Sequence, residues 1–451
     1  MSLRLNSFDR LVITILAGLT AALLGVTLIG SWQGARLPEL AASEVGSRGP
    51  FELIYTGGKA LTEVEGYVRL EPETAVRTQW QGATLQIWPE EALAAGETYT
   101  LILAEGAPGP NGQTTRREGR WEVQVRPAQV VYLHPAQSPD LWRAALDGSP
   151  AQALTESGGK VFDFGVSPSG RWAAVSIRND TAGVDLWRVS REGGEGELLV
   201  NCGREMCTNP AWSPDERQLA YSRRRVSSTT GQPGLPRIEL LDVASGQAAP
   251  LYADPEVSGF EPVWSPDGQR LAFFDGMAGA IRIVSLSGGG EDLLLPSQMG
   301  MVGSWSPDGR RMAYLDMQLT SAAPLVTLYE ANLDSGQVRP FPLKGDFSLT
   351  EFAQPEWSPD GEWLLAGLRS LDGPVSKQLW LIRADGSEAR ALTDDFTQTH
   401  AAYRWSPQGE ALVYQQLSLG ASAYRPEVWV RQGNGQFLRV AEDAALPNWL
   451  P

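Results

Sequence analysis

The chain has 451 residues, with 37 Lys and Arg against 53 Asp and Glu, a formal net charge of -16 and a sequence pI near 4.7. Nucleic-acid affinity comes from clustered Lys and Arg meeting phosphates, so this balance excludes a nucleic-acid partner and disfavours adsorption on an anionic lipid surface. Two or three domains are expected at this length.

Residues 1–10 form a short polar start, and residues 11–33 carry no charge and consist mostly of Leu, Ile, Val, Ala and Gly. Such a run is long enough to cross a hydrocarbon core of roughly 30 Å, so a transmembrane anchor is predicted there. Arg4 and Arg10 precede it and only Arg36 closely follows. That asymmetry orients the N-terminus to the cytoplasm and places everything after about residue 33 outside, periplasmic or extracellular, on the bacterial cytoplasmic membrane. The alternative is secretion after signal cleavage. It is disfavoured because the apolar run exceeds the usual length of about 7–15 residues and no small-x-small site follows it.

Residues 34–50, rich in Ala, Glu, Ser, Gly and Pro without a period, read as a linker. Strands are then predicted at Leu85-Gln86-Ile87-Trp88, Tyr99-Thr100-Leu101-Ile102-Leu103 and Trp121-Glu122-Val123-Gln124-Val125, separated by Pro and Gly signals. Their alternation predicts a small antiparallel β-sandwich over residues 51–126. The run from Trp88-Pro89 to Leu93, followed by Gly96-Glu97-Thr98-Tyr99-Thr100-Leu101, resembles bacterial Ig-like domains of cell-surface proteins. The resemblance implies a spacer or adhesion module without catalytic residues; an unrelated sandwich is the alternative.

From residue 127 a repeat takes over. Its copies are Val166-Ser167-Pro168-Ser169-Gly170, Trp212-Ser213-Pro214-Asp215-Glu216, Trp264-Ser265-Pro266-Asp267-Gly268, Trp305-Ser306-Pro307-Asp308-Gly309, Trp357-Ser358-Pro359-Asp360-Gly361 and Trp405-Ser406-Pro407-Gln408-Gly409. Pro presets φ for the second turn position, Asp bonds its own backbone and Gly accepts positive φ, so each phrase closes a hairpin. An apolar strand follows at once, as in Leu219-Ala220-Tyr221 and Leu271-Ala272-Phe273, and the Trp is expected to pack between repeats. A repeat of this length with short strands between turns predicts a β-propeller, one blade of about four strands per copy.

Six phrases do not fix the blade number, because a second strand-and-turn signature occurs seven times, from Asp140-Leu141-Trp142 to Val428-Trp429. The first lacks a Ser-Pro phrase, and the C-terminal Leu446-Pro447-Asn448-Trp449-Leu450-Pro451 echoes Asn209-Pro210-Ala211-Trp212-Ser213-Pro214. A C-terminal strand completing the N-terminal blade would pair exposed strand edges. The predicted fold class is therefore all-β: a seven-bladed β-propeller over residues 127–451, with six blades as the alternative, behind an Ig-like β-sandwich and one transmembrane helix.

The Trp-Ser-Pro-Asp-Gly phrase with its following strand resembles the blades of the TolB-type, WD-like propeller family, and those of prolyl-oligopeptidase-type peptidases. TolB-like proteins are envelope proteins whose propellers bind partner proteins, so the resemblance implies binding. An anchor, an Ig-like module and seven blades depart from a typical periplasmic TolB.

The sequence offers no nucleophile elbow of the G-x-S-x-G kind and no hydrolase segment after the propeller. His134 and His400 are its two histidines, and both read as loop or edge residues. Catalytic, cofactor and metal residues are accordingly expected to be none. Cys202 and Cys207 are expected to form a local disulfide, which fits an oxidising compartment. The expected binding face carries the loops before each Trp phrase, with Phe164, Asn209, Glu261, Gln354, His400 and Tyr403 named by position. The functional expectation is a membrane-anchored, extracytoplasmic, non-enzymatic binding protein whose partner is an envelope protein, peptide or glycan. The alternative is a propeller enzyme, a lyase or hydrolase acting on a polysaccharide or peptide, using acidic residues and His400 at the channel mouth.

Overall fold

The structure is a computed structural model that describes residues 13–20, 35–60, 62–227, 231–288, 291–319, 324–347, 350–421 and 424–451. The predicted membrane span, residues 11–33, lies outside the described residues except for an exposed helical stretch at 13–20. Among the described residues no helix is long and apolar enough to cross a membrane. The chain divides into two compact units, Met1–Arg126 and Pro127–Pro451.

The first unit holds two four-stranded sheets. One orders Glu39–Leu40, Phe51–Ile54, Thr84–Pro89 and Val76–Gln81; the other orders Glu44–Val45, Gly119–Val125, Thr98–Leu103 and Val68–Glu71. Alternation puts Phe51, Leu53, Leu85, Ile87, Leu101, Leu103, Val123 and Val125 into a single apolar cluster, as period 2 requires of strands with one buried face. The expected linker over residues 34–50 differs from what is found. Glu44–Val45 runs parallel to Gln124–Val125, and Glu39–Leu40 pairs antiparallel with Leu53–Ile54. The reason is that Val45 and Leu40, isolated apolar positions in a polar stretch, bury against the sandwich core.

The second unit, among its described residues, consists of seven four-stranded antiparallel meanders. In chain order their first strands are Gln129–His134, Val161–Val166, Met206–Trp212, Phe260–Trp264, Ser304–Trp305, Thr350–Trp357 and Gln398–Trp405. In the first meander Gln129–His134 is flanked on its free side by the C-terminal strand Ala445–Leu450, with Trp449 opposite Val130. The second and third meanders join into one sheet through a single parallel bridge, Val184 to Met206. The Cys202–Cys207 disulfide closes the short connection there. Under the chain-entropy description such a small ring contributes about 2 kcal/mol.

Among the described residues this unit has no common core. Seven apolar clusters each lie between two successive meanders. Leu141, Leu154 and Val175 join the first to the second; Leu186, Trp212 and Tyr221 the second to the third; Ile238 and Phe273 the third to the fourth. Phe274 and Tyr314, then Leu328 and Phe352, then Leu379 and Tyr414 continue the series, and Val430 with Trp449 and Tyr132 joins the seventh to the first. Indole hydrogen bonds follow the same succession. Trp212 Nε1 donates to Gly165 O at 3.1 Å, Trp264 to Ala211 O at 2.9 Å, Trp305 to Val263 O at 3.3 Å and Trp449 to Arg404 O at 3.1 Å.

The Ser-Pro phrases are the hairpins between first and second strands. Ser213, Ser265 and Ser306 each donate to the Asp two residues on, at 2.5–2.6 Å, and accept the amide five residues on at 2.9 Å. Gly309 has φ +68°, as the turn demands; Glu216 occupies the same place at φ +58°, and its carboxylate accepts the Ser169 amide of the preceding hairpin at 2.6 Å.

Trp449 is the side chain that ties the C-terminal strand into the seventh meander. Trp449→Ala is expected to lower stability by about 3–5 kcal/mol, and Trp449→Phe by roughly 1 kcal/mol for the lost hydrogen bond. Denaturant unfolding of the two variants checks the order; equal effects would mean that packing of the larger ring is irrelevant there.

Candidate functional site

The residues expected to lie in loops before each Trp phrase sit in the first strands themselves. Asn209, Glu261 and Gln354 have φ of +54°, +56° and +42°, and Ala402 and Leu446 occupy the same place, three residues before their Trp, at +46° and +49°. Strand pairing shifts register there, between Thr208 and Ala211, Phe260 and Val263, Ala353 and Glu356, Ala401 and Arg404, and Ala445 and Asn448. Each is a β-bulge, which bends the strand and leaves one residue outside the ladder. The Pro that follows in four of these places, Pro210, Pro262, Pro355 and Pro447, lacks the N–H the ladder would need.

The amides freed by bulging are met by side chains of the preceding meander. Asn209 N–H donates to Asp163 Oδ2 at 2.8 Å, Ala402 N–H to Gln354 Oε1 at 3.0 Å, and Leu446 N–H to Gln415 Oε1 at 3.0 Å. Gln354 and Asn209 therefore help hold the bulges in place. Glu261 stays exposed, with its carboxyl raised by desolvation among the surrounding strands. Phe164 is half-buried and packs at the edge of the cluster between first and second meanders.

His400 and Tyr403 do not face a ligand surface. His400 is 3% exposed, its Nδ1 lies 3.0 Å from Lys377 O, and its ring packs edge-on against Tyr414. Burial holds its imidazole below the ordinary pKa, against the hydrogen bonding that favours the charged form. Tyr403 is buried, its hydroxyl donating to Ala353 O and accepting the Gly367 amide. The strand pairing explains both: His400 falls on the inward side opposite Gln416, and the bulge at Ala402 turns Tyr403 into the cluster with Leu365 and Leu379. His134 belongs to the strand Gln129–His134 and stacks edge-on with Trp142.

Two acidic residues were missed. Asp163 stands three residues before Val166, as Asn209 stands three before Trp212, and that offset was the available signal. Burial pushes its carboxyl up to about 6, with the Ser176 hydroxyl and the Asn209 amide pulling the other way. Glu356 accepts the Trp405 amide at 3.1 Å and lies 3.4 Å from Arg404 Nη1; burial raises its carboxyl despite both. Among the described residues no group of three His, Cys, Asp or Glu side chains is arranged to hold a metal ion.

A different surface stands out at the opposite end from the Ser-Pro hairpins. In a four-stranded meander the 1–2 and 3–4 turns share one end, while the 2–3 turns and the links to the next meander share the other. The exposed large apolar side chains that lie in turns and links fall at the latter end: Met277, Leu371, Val375, Leu419 and Tyr424 in 2–3 turns, Leu235 beside one, and Phe396 in the link between sixth and seventh meanders, whereas Phe162, Leu198, Leu294, Met317, Val338, Phe437 and Leu446 are exposed on strands, Val338 and Phe437 of them beside 3–4 turns. Val375 is 69% exposed. None of the exposed large apolar residues lies in a Ser-Pro hairpin.

No protein-family model and no curated protein matches the chain. Solved structures do. A prolyl endopeptidase is 12% identical with a TM-score of 0.52, over 85% of this chain and 51% of its own. TolB from Acinetobacter baumannii is 14% identical with a TM-score of 0.41, over 85% of this chain and 83% of its own. An oligogalacturonate lyase in complex with manganese is 15% identical with a TM-score of 0.42, over 60% of this chain and 73% of its own. The second unit has a β-propeller fold. At these identities the likeness concerns fold alone.

Asp163 gives this site a pH signature. Its folded pKa lies above that of an unfolded aspartate, so the native state holds the extra proton between the two values and stability falls as pH rises through about 6. Asp163→Asn removes that dependence. The stability difference between variant and wild type should therefore move in the variant's favour from about pH 4 to about pH 7. Urea unfolding of both proteins at successive pH values measures it, and a difference independent of pH would contradict the assignment.

Proposed function

We propose that this chain is a membrane-anchored, extracytoplasmic, non-enzymatic binding protein. In this reading the seven meanders form a closed seven-bladed propeller, and the sandwich is an Ig-like spacer between it and an anchor at residues 11–33. The end carrying Leu235, Met277, Val375, Phe396 and Tyr424 receives a protein partner of the cell envelope.

The observation that carries the reading is the asymmetry of the two ends. Loops are surface segments selected for solubility, and exposed apolar side chains gathered in the loops of one end signal an interaction site. A protein partner suits it better than a glycan, because association of apolar surface needs apolar surface in return. The net charge of -16 favours a partner presenting basic residues around its apolar centre. The disulfide suits an oxidising compartment outside the cytoplasm. His400, committed to a carbonyl and an aromatic ring inside the fold, is unsuited to act as a base.

One observation favours the alternative of a propeller lyase or hydrolase: the raised carboxyl of Asp163 on a first strand, a property of general acids. Turnover of a polysaccharide or peptide that is lost in Asp163→Asn would replace the binding reading.

Capture experiments with the full-length chain on solubilised envelope should recover one protein repeatedly. The double variant Val375→Asp and Phe396→Asp, both at exposed positions, should keep its melting temperature and weaken capture by roughly tenfold or more. Undiminished capture would move the partner away from this end.

A further inference from the structure

The geometry points to a second binding site, a cleft of about 440 Å³ between the first and second meanders that takes an organic cation, an alkylammonium or guanidinium group on an apolar stem. It lies on the sheet face of the second meander and reaches that meander's 2–3 turn and the link from the first, and its lining includes none of the exposed apolar residues named above.

One wall is the strand Val184–Ser190. Alternation sends Asp185, Trp187 and Val189 to the same side, and all three line the cleft. Ile177 pairs opposite Asp185, and Leu154 closes the floor from the first meander. The floor is thus apolar and suited to a methylene stem.

Asp185 is the anchor. It is 8% exposed, yet it is a cleft-lining residue. Its Oδ1 accepts two hydrogen bonds, from Asn179 Nδ2 at 3.0 Å and from the Cys202 amide at 2.7 Å. Its Oδ2 meets no donor among the described residues, and it keeps solvent access from the cleft. Asn179 is itself held, accepting from Thr181 and Gly183 and donating to Gly203 O. The carboxylate is therefore oriented by a satisfied network and the disulfide loop, with one oxygen left over. A nearly buried carboxylate with unfilled acceptor capacity gains most from a charged donor, whose hydrogen bond is roughly twice as strong as a neutral one.

Trp187, two residues along the same face, adds a second recognition element. Among the described residues its indole N–H has no acceptor and no guanidinium stands over its ring, in contrast to Trp172, Trp305, Trp357 and Trp363, each of which lies under an Arg. A cation at Asp185 with its stem along Trp187 would place its charge near that ring.

The remaining charges of the cleft agree. Lys160 is paired with Asp180 at 3.2 Å, and Arg178 leans over the Phe162 ring at 5.7 Å. Glu156 forms no ion pair among the described residues and adds negative charge at the mouth. A bare metal ion is a poor occupant, since no three ligating side chains converge there.

Titration calorimetry on the full-length chain tests the assignment with 1,5-diaminopentane, with Nα-acetyl-lysine amide and Nα-acetyl-arginine amide, and with 1,5-pentanediol and glutarate as neutral and anionic counterparts. At least one cation should bind saturably, and the diol and glutarate should not. Asp185→Asn, which keeps an acceptor for Asn179 and Cys202, should weaken the cation roughly tenfold or more. Trp187→Leu should weaken it several-fold with an unchanged melting temperature, and it serves alone if Asp185→Asn does not fold. Tighter binding of the diamine than of the amides would identify a free amine as the occupant, and the reverse a basic side chain of a peptide. The proposal is overturned by absence of cation binding, by equal binding of diol or glutarate, or by cation affinity unchanged in the folded variants.

Discussion

An indole N–H that crosses from one meander to a carbonyl of the one before it is the interaction on which the second unit depends. Trp212, Trp264, Trp305 and Trp449 make it to Gly165, Ala211, Val263 and Arg404. Each acceptor is the residue just before the Trp, or its counterpart Val166, in the preceding first strand. One side chain thereby fixes the spacing of two meanders and buries an aromatic ring between them. A net hydrogen bond of about 1 kcal/mol matters less here than its direction, because the packing clusters alone would tolerate sliding. At Trp357 and Trp405 the buried indole N–H has no acceptor among the described residues. There the preceding meander bonds the Trp amide instead, through Ser304 Oγ at 3.2 Å and Glu356 Oε1 at 3.1 Å.

Absence of a common core follows from the same arrangement. Each meander is stabilised only by its two neighbours, so a sheet edge left open at one point would weaken the series there. The C-terminal strand meets that need by pairing Trp449 with Val130, while Arg191 Nη1 donates to Pro451 O at 2.6 Å from the second meander. Of the two loop sets, the Ser-Pro hairpins are occupied with their own Ser-Asp and Ser-amide bonds, and the opposite set carries the exposed apolar residues.

Bulges are the second recurring device. A left-handed residue three places before Trp212, Trp264, Trp357, Trp405 and Trp449 bends the strand, and its amide is answered in several meanders by an acceptor from the preceding one, Asp163, Gln354 or Gln415. Polar residues at these places thus serve the fold, and Asp163 carries a raised carboxyl as a by-product of that burial. The cleft around Asp185 differs in kind, since its polar network is complete except for one oxygen facing open space.

The hairpins, the repeat length, the strand alternation of both units and the pairing of Cys202 with Cys207 are legible in the order of amino acids, because turn chemistry and period 2 are local properties written in adjacent residues. That order also carried the echo that places Trp449 beside the first meander. The tertiary structure alone decided which polar residues face solvent. His400 and Tyr403 flank Ala402, which holds the place of Asn209 and Glu261 in the repeat, and strand pairing with the bulge at Ala402 turns both of them inward. Val45 and Leu40, too sparse to show a period, became strands only because a sandwich edge was there to receive them. Asp185 and Leu154, separated by a whole strand pair in sequence, line one cleft only once two meanders stack. Local geometry can be read from neighbours in the chain, whereas exposure and convergence depend on what the rest of the chain packs against them.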